Sequence, residues 1–324
     1  KSYDEHIFAK KIAEKYDTNH TSYQLDDIDT NHLEYLSSNF DEPLADASIV
    51  PTYLLTKKVK KEIKVAIGGD GADEIFGGYS HYKLASSKLM TKVPLFMYKI
   101  LSYLALVLPL GFKGRGLLTE FQQGLFKTKI FSSMYFDKMG RTHLFDQVNK
   151  NLINEIDFPE SYKKKLFKFN NIEEMMKLDF FTFLPDDVLH KVDRTSMLNS
   201  LEVRSPWLDY NIINYVHSSI SSEYKVFNNE TKILMKCLGK KYLPSNFLYN
   251  RKQGFSLPLK TYFMNNWKSF TQDVISDLTC PYLNKNNIKK IWESQIKGYN
   301  NSNRLFSIIM YELWWKNYSK YISL

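Results

Sequence analysis

Apolar Phe8, Ala9, Ile12 and Ala13 recur at the spacing of one helix face, behind a Ser2-Tyr3-Asp4-Glu5 start. Ser2 and Glu5 form a capping-box pair there, so the pattern predicts a helix ending near Tyr16. A short strand is expected over residues 21–25, a helix over 51–61 and a strand over 64–67. The last of these centres on Val65-Ala66-Ile67, an apolar run that reads as buried. Strands and helices alternating in this way predict an α/β fold with a doubly wound parallel sheet. From about Lys83 onward strand signals thin out and amphipathic helical patterns dominate. Rings gather near Phe180-Phe181, Tyr249, Trp292 and Trp314-Trp315, where large side chains at helical spacing pack as core.

Composition narrows the class without naming it. The 324 residues are 44% hydrophobic and 24% charged, which excludes disordered and collagen-like chains and suits one or two globular domains. Cys237 and Cys280 are the two cysteines, too few for a disulfide framework and without metal-ligand spacing, so reduced thiols and a cytoplasmic protein are expected. Residues 93–109 are strongly apolar but contain Lys99, are bounded by Pro94 and Pro109, and fall short of the ~20 residues of a membrane span. A buried helix is the expectation there, and no membrane span. The net charge of +9 raises the question of nucleic acid. The lysines of 57–61 and 163–165 fit polar faces of helices, and no specific nucleic-acid motif accompanies them.

The chemistry concentrates immediately after the 64–67 strand. Gly68-Gly69-Asp70-Gly71-Ala72-Asp73-Glu74 forms a glycine-rich turn carrying three carboxylates, followed by Ile75-Phe76-Gly77-Gly78-Tyr79 at a helix start. Open parallel sheets bind ligands at the carboxyl ends of their strands. Glycines there let the backbone approach a phosphate, and aspartates suit a hard cation such as Mg²⁺ together with substrate phosphates. The competing reading is a solvated acidic turn, but like charges this close repel unless cations lie among them.

This turn resembles the SGEGADELFGGY signature of the asparagine synthetase family, ATP-dependent amidotransferases of the ATP-pyrophosphatase superfamily. Four further segments are similar to that family, in its order. They are the Ser2-Tyr3-Asp4-Glu5 helix; Asp41-Glu42-Pro43 with Asp46, Ser48 and Pro51; the stretch from Leu184-Pro185 through Lys191, Asp193-Arg194 and Glu202-Val203-Arg204 to Asp209; and Arg251-Lys252-Gln253-Gly254-Phe255 with Pro258. The turn departs from the common form at two places, with Gly68 for Ser and Asp70 for Glu.

The resemblance implies an incomplete doubly wound sheet of the adenine-nucleotide hydrolase kind in residues 1–82, and a mainly helical remainder of the synthetase domain in 83–324. It also implies ATP and Mg²⁺ as cofactors. Gly68, Gly69, Asp70, Gly71 and Lys252 would bind ATP, Asp73 the metal, and Asp70 and Lys252 would be catalytic. Glu74, Lys191 and Asp193 are placed at the mouth of the site. Glu74 has a second reading as a carboxylate favoured by its helix N-terminus, and Glu202 with Arg204 reads as a structural ion pair. The family's N-terminal glutaminase domain and its SGGxDS phosphate loop do not occur in this sequence. A fragment is therefore expected, inactive alone, with sheet edges that favour a homodimer. Small-molecule partners follow: ATP, ammonia from glutamine, and aspartate as acceptor, with a sugar uronic acid as the alternative. A non-catalytic scaffold and an enzyme acting on transfer RNA are the readings from other classes.

Overall fold

The computed structural model describes residues 6–25, 28–86, 100, 103–104, 107–115, 118, 135–136, 138–146, 172–244, 247 and 257–322. In chain order the helices are α1 (His6–Tyr16), α2 (Thr30–Asn39) and α3 (Ile49–Val59), then strand β1 (Val65–Ile67), α4 (Ala72–Phe76), α5 (Ser80–Ser86), α6 (Lys138–Leu144) and α7 (Ile172–Phe181). A π-helical turn (Leu184–Leu189) leads into α8 (His190–Met197), strand β2 (Glu202–Arg204), α9 (Tyr210–Ser219) and α10 (Ile233–Tyr242). The last four helices are α11 (Leu259–Met264), α12 (Lys268–Ser276), α13 (Lys285–Ile296) and α14 (Ser302–Tyr318).

Two compact units interleave along this order. One comprises residues 1–28, 48–87 and 176–257; the other comprises 29–47, 88–175 and 258–324.

In the first unit β1 and β2 run parallel, with Val65 opposite Glu202, Ala66 opposite Val203 and Ile67 opposite Arg204. Among the described residues this is a two-stranded sheet in a mostly helical α/β chain. Two sequence expectations are corrected. Residues 21–25 are not a strand: the segment is irregular, held by Tyr23 Oη donating to Glu62 and by Lys58 Nζ donating to Gln24 O at 2.6 Å. Nor is β1 buried, since Val65 and Ile67 share one face by the two-residue period of a strand and that face is exposed.

Helix α3 starts with Pro51 in its first turn, where the missing N–H costs nothing. Polar contacts link it to α8 and the residues just after it. Thr56 Oγ1 donates to Thr195 O at 3.3 Å, and Asn199 Nδ2 donates to Tyr53 O at 3.1 Å. Thr195 and Ser196 are buried at that contact. Helix α4 buries Ile75 and Phe76 against Val216, and Phe76 meets Trp207 edge to face at 5.5 Å. Gly77, at φ +70°, stops α4 in the left-handed conformation that favours glycine.

The named elements of the second unit are helices in its described part, with an isolated antiparallel bridge between Phe145 and Leu283. Helices α2 and α14 pack together, with Leu33, Leu36, Leu305, Phe306 and Ile309 fully or almost fully buried. Glu312 is buried at the same place and accepts from Thr279 N at 2.6 Å, Thr279 Oγ1 at 2.7 Å and Cys280 N at 3.2 Å. Burial pushes the Cys280 thiol above its usual range. Cys237 is exposed. Titration with a disulfide reagent should therefore show one fast thiol per native chain and a second only on unfolding. Two fast thiols would contradict this packing.

No helix among the described residues is long and apolar enough to cross a membrane. Most of 93–109, the lysines of 163–165, Ser2 to Glu5, Tyr249 and the whole Arg251-Lys252-Gln253-Gly254-Phe255 element lie outside the described residues.

Candidate active site

The site is built where β1 ends. Gly68 N donates to Arg204 O at 2.8 Å, which prolongs the parallel ladder by one residue before the chain turns. A Cβ on Gly68 would lie 2.9 Å from Asp70 Oδ2 and 3.2 Å from Val203 Cγ1. The missing side chain is what lets the Asp70 carboxylate fold back over the strand end, where Ser205 Oγ donates to Asp70 Oδ2 at 3.5 Å. Half-buried there, Asp70 has its pKa raised above the ordinary 3.8 by desolvation. The Lys191 ammonium, the turn's backbone and Ser205 all pull in the opposite direction.

Gly69 and Gly71 differ in what they require. Gly69 is exposed, and a Cβ there would touch nothing within 4 Å, so its backbone is open to a ligand. Gly71 has φ +87° and lies against Leu208, into which any side chain would collide. Only glycine can take that position.

Asp73 stands in the first turn of α4, and Lys232 Nζ meets its Oδ1 at 2.8 Å. Gly78 doubles back against this carboxylate, its N donating to Asp73 O at 2.8 Å, with no room for a Cβ beside the Asp73 side chain. Lys232 is unusual in its own right. It caps the N-terminus of α10 with φ +53°, a backbone state costly for a side chain and a helix end unfavourable to a cation. The Asp73 carboxylate compensates both.

Beneath the turn Glu74 is almost fully buried and accepts from Tyr79 Oη. Asp179 is also buried and accepts from Tyr82 Oη, with His81 Nε2 3.2 Å from the same oxygen. Desolvation, with Glu74 and Asp73 nearby, drives both tyrosine pKa values far up, so both rings stay neutral donors. This polar layer fixes the base of α4 and with it the turn above.

The sequence-expected residues therefore separate. Gly68, Gly69, Asp70, Gly71 and Asp73 form one turn, and Lys191 faces Asp70 from α8. Asp193 is exposed and lies two residues on, so the helical period turns it to another face than Lys191. Glu74 lies under the turn rather than at its mouth. Arg204 Nε and Glu202 Oε1 pair at 2.7 Å in the exposed ion pair expected of them. Lys252 falls outside the described residues. Sequence reasoning missed Lys232, Ser205 and the tyrosine layer. A lysine opening the apolar Ile233-Leu234-Met235 helix was the available signal for Lys232, because only a nearby anion makes that position favourable.

A hard cation fits this donor set. Among the described residues no group of three or more His, Cys, Asp or Glu side chains converges as a self-contained metal cage. Mg²⁺ does not need one, since it is commonly held by one or two carboxylates and substrate phosphates.

The family pattern for asparagine synthase matches residues 1–316. The chain belongs to the asparagine synthase family. It is 30% identical over 287 residues to asparagine synthetase [glutamine-hydrolyzing] 1 of Bacillus subtilis, covering 88% of this chain and 45% of that protein. It is 26% identical over 289 residues to a putative asparagine synthetase [glutamine-hydrolyzing] of Mycobacterium bovis, covering 85% and 42%. A putative asparagine synthetase 2 of Methanocaldococcus jannaschii is 29% identical over 211 residues, 60% of this chain and 38% of that protein. The chain thus spans less than half the length of these relatives.

The two departures of this turn from the signature it resembles, Gly68 for Ser and Asp70 for Glu, are expected to be coupled. A serine at position 68 would press its Cβ on the folded-back Asp70 carboxylate, and a longer glutamate at position 70 is expected to relieve that contact. Gly68→Ser alone should impair the site, and Gly68→Ser with Asp70→Glu should recover. The expected coupling is ~0.5–3 kcal/mol in a double-mutant cycle on ATP-dependent turnover. Additive losses would separate the two residues.

Proposed function

We propose that this chain supplies the synthetase centre of an ATP-dependent amide-forming enzyme, with aspartate as acceptor and ammonia derived from glutamine. The observation that carries the reading is the turn itself: Asp70 raised by burial and faced by Lys191, three residues from Asp73, at the carboxyl end of a parallel strand. Family membership supports it, as do the relatives' names. We read β1 and β2 as part of a doubly wound sheet, the setting in which such turns bind ligands.

A carboxylate does not exchange its oxygen for ammonia at neutral pH. The acceptor carboxylate attacks the α-phosphorus of ATP, the bond to the β-phosphate oxygen breaks, and pyrophosphate leaves. Ammonia then attacks the acyl carbon, and the carbon–oxygen bond to AMP breaks. The open backbone at Gly69 and the turn at Gly68 approach the phosphates. Asp73 would hold Mg²⁺, which when bound neutralises phosphate charge. Lys232 balances Asp73 otherwise, and the family resemblance would assign Lys252 as a further cation for the phosphates. Asp70 takes the proton that ammonia sheds; burial moves its basicity toward the working pH of a general base. A glutaminase activity that supplies the ammonia, assembly as a homodimer and a cytoplasmic setting belong to this same reading.

Pyrophosphate release by the complete gene product, with ATP, glutamine and each candidate acid, tests the assignment. Aspartate should be required and asparagine should form stoichiometrically. Release that is indifferent to aspartate but dependent on a uronic-acid sugar would move the acceptor and keep the chemistry. No release with any carboxylate would remove the function.

A further inference from the structure

The surplus of positive charge has a specific focus away from the glycine turn. In the second unit a cleft of about 740 Å³ is lined by Lys113, Arg115, Lys260, Lys297 and Arg304, together with Phe112 and Tyr299. No carboxylate stands among its described lining residues. Its volume is that of a site for a small molecule rather than a lone ion.

The frame of this cleft is built. Two loops face each other, 109–115 and 298–301. Asn300 N donates to Gly111 O at 3.2 Å, and Asn301 Nδ2 donates to Leu110 O at 3.3 Å. Asn301 is buried and its own N donates to Gln295 Oε1 at 2.7 Å. A Cβ on Gly111, where φ is +84°, would lie 2.7 Å from Asn301 Nδ2, so only glycine lets the loops meet this closely. The cations are also positioned. Arg115 is buried and its Nε donates to Leu108 O at 3.0 Å. Arg304 Nη1 donates to Asn301 Oδ1 at 3.1 Å, and Lys260 Nζ donates to Gly298 O at 3.3 Å.

The ordinary explanation covers one residue. Lys297 caps the C-terminus of α13, where a cation is favoured by the helix dipole. It does not explain why four more cations from three other segments converge on the same space.

We propose that this cleft binds a small polyanion carrying two or more phosphate groups. Several cations around one cavity match several phosphates, and arginine forks suit phosphate oxygens. Phe112 and Tyr299 expose their rings, giving an apolar part of the ligand a surface. The proposal does not rest on the reading of the glycine turn.

Calorimetric titration with inorganic tripolyphosphate tests it on the complete gene product. Lys113→Glu with Lys297→Glu reverses two exposed charges, and the control pair Lys285→Glu with Lys289→Glu reverses two exposed charges elsewhere on α13. The cleft pair should weaken binding about tenfold or more, and the control pair less than about twofold. Asp73→Asn, in the glycine turn, should leave this binding in place. Thermal melts confirm folding; if the reversals unfold the protein, Lys113→Gln with Lys297→Gln is read instead and should weaken binding in the same direction. Equal weakening by both pairs would show diffuse attraction to a basic surface and overturn the proposal. So would binding lost in Asp73→Asn but retained in the cleft pair, which would assign the anion to the glycine turn.

Discussion

Asp70→Asn should cut amide formation by about 10²–10⁴-fold while leaving the protein at least as stable as the wild type at neutral pH. Both halves follow from where the carboxylate lies. Under the proposed reading it would be the proton acceptor for ammonia and would contribute the rate factor of a positioned general base. As a half-buried acid its folded pKa is raised by desolvation above the ordinary 3.8. The native state therefore holds a proton that the unfolded chain has already released, over the window just above 3.8. Asp70 costs no stability below that window, and its cost develops as pH rises through the folded pKa. The amide has no such cost, so its melting temperature should gain on the wild type as pH rises above 3.8 and level off above the folded pKa. A variant that loses stability and activity together at neutral pH would instead make Asp70 structural.

Gly71→Ala and Gly69→Ala should fail in opposite ways, although they sit two residues apart. Gly71 has φ +87° and presses on Leu208, so alanine there adds backbone strain of ~1–2 kcal/mol and overpacking of ~1–3 kcal/mol. Chemical denaturation should show the sum, ~2–5 kcal/mol, before any substrate is added. Gly69 has open space around its missing Cβ. Alanine there should change stability by less than about 0.5 kcal/mol. Under the proposed reading it should nevertheless raise the KM for ATP several-fold, because the methyl would occupy open space through which a phosphate would approach. Gly69→Ala with unchanged ATP dependence would take the nucleotide away from this turn.

What the sequence disclosed and what it hid follow from how each element is held. The end of α1 at Tyr16 and the β1 run at Val65–Ile67 match expectation because each depends on local pattern. The helix expected over 51–61 is α3, shifted by two residues at each end, as fraying and capping allow. Strand β2 was hidden because Glu202-Val203-Arg204 offers one apolar residue between two charges. Only its pairing with β1 makes it a strand. Residues 21–25 show the converse, with alternating β-formers but no strand pairing, their side chains and carbonyls taken up by Glu62 and Lys58. In the site, the glycine turn is a contiguous motif and was legible. Lys191 was placed through its segment, whereas Lys232 comes from a distant helix start whose significance is visible only beside Asp73. The burial of Glu74 was equally invisible, because a carboxylate in a first helical turn looks the same exposed or capped by a tyrosine.

The most direct test of the account is metal-directed cleavage. Fe²⁺ replaces Mg²⁺ on the complete gene product in the presence of ATP, and the cut sites are read by mass spectrometry. Backbone cleavage confined to residues 68–74 and their neighbours around Lys232, requiring ATP and lost in Asp73→Asn, is the predicted result. Cleavage elsewhere, or at the turn without ATP, would contradict it.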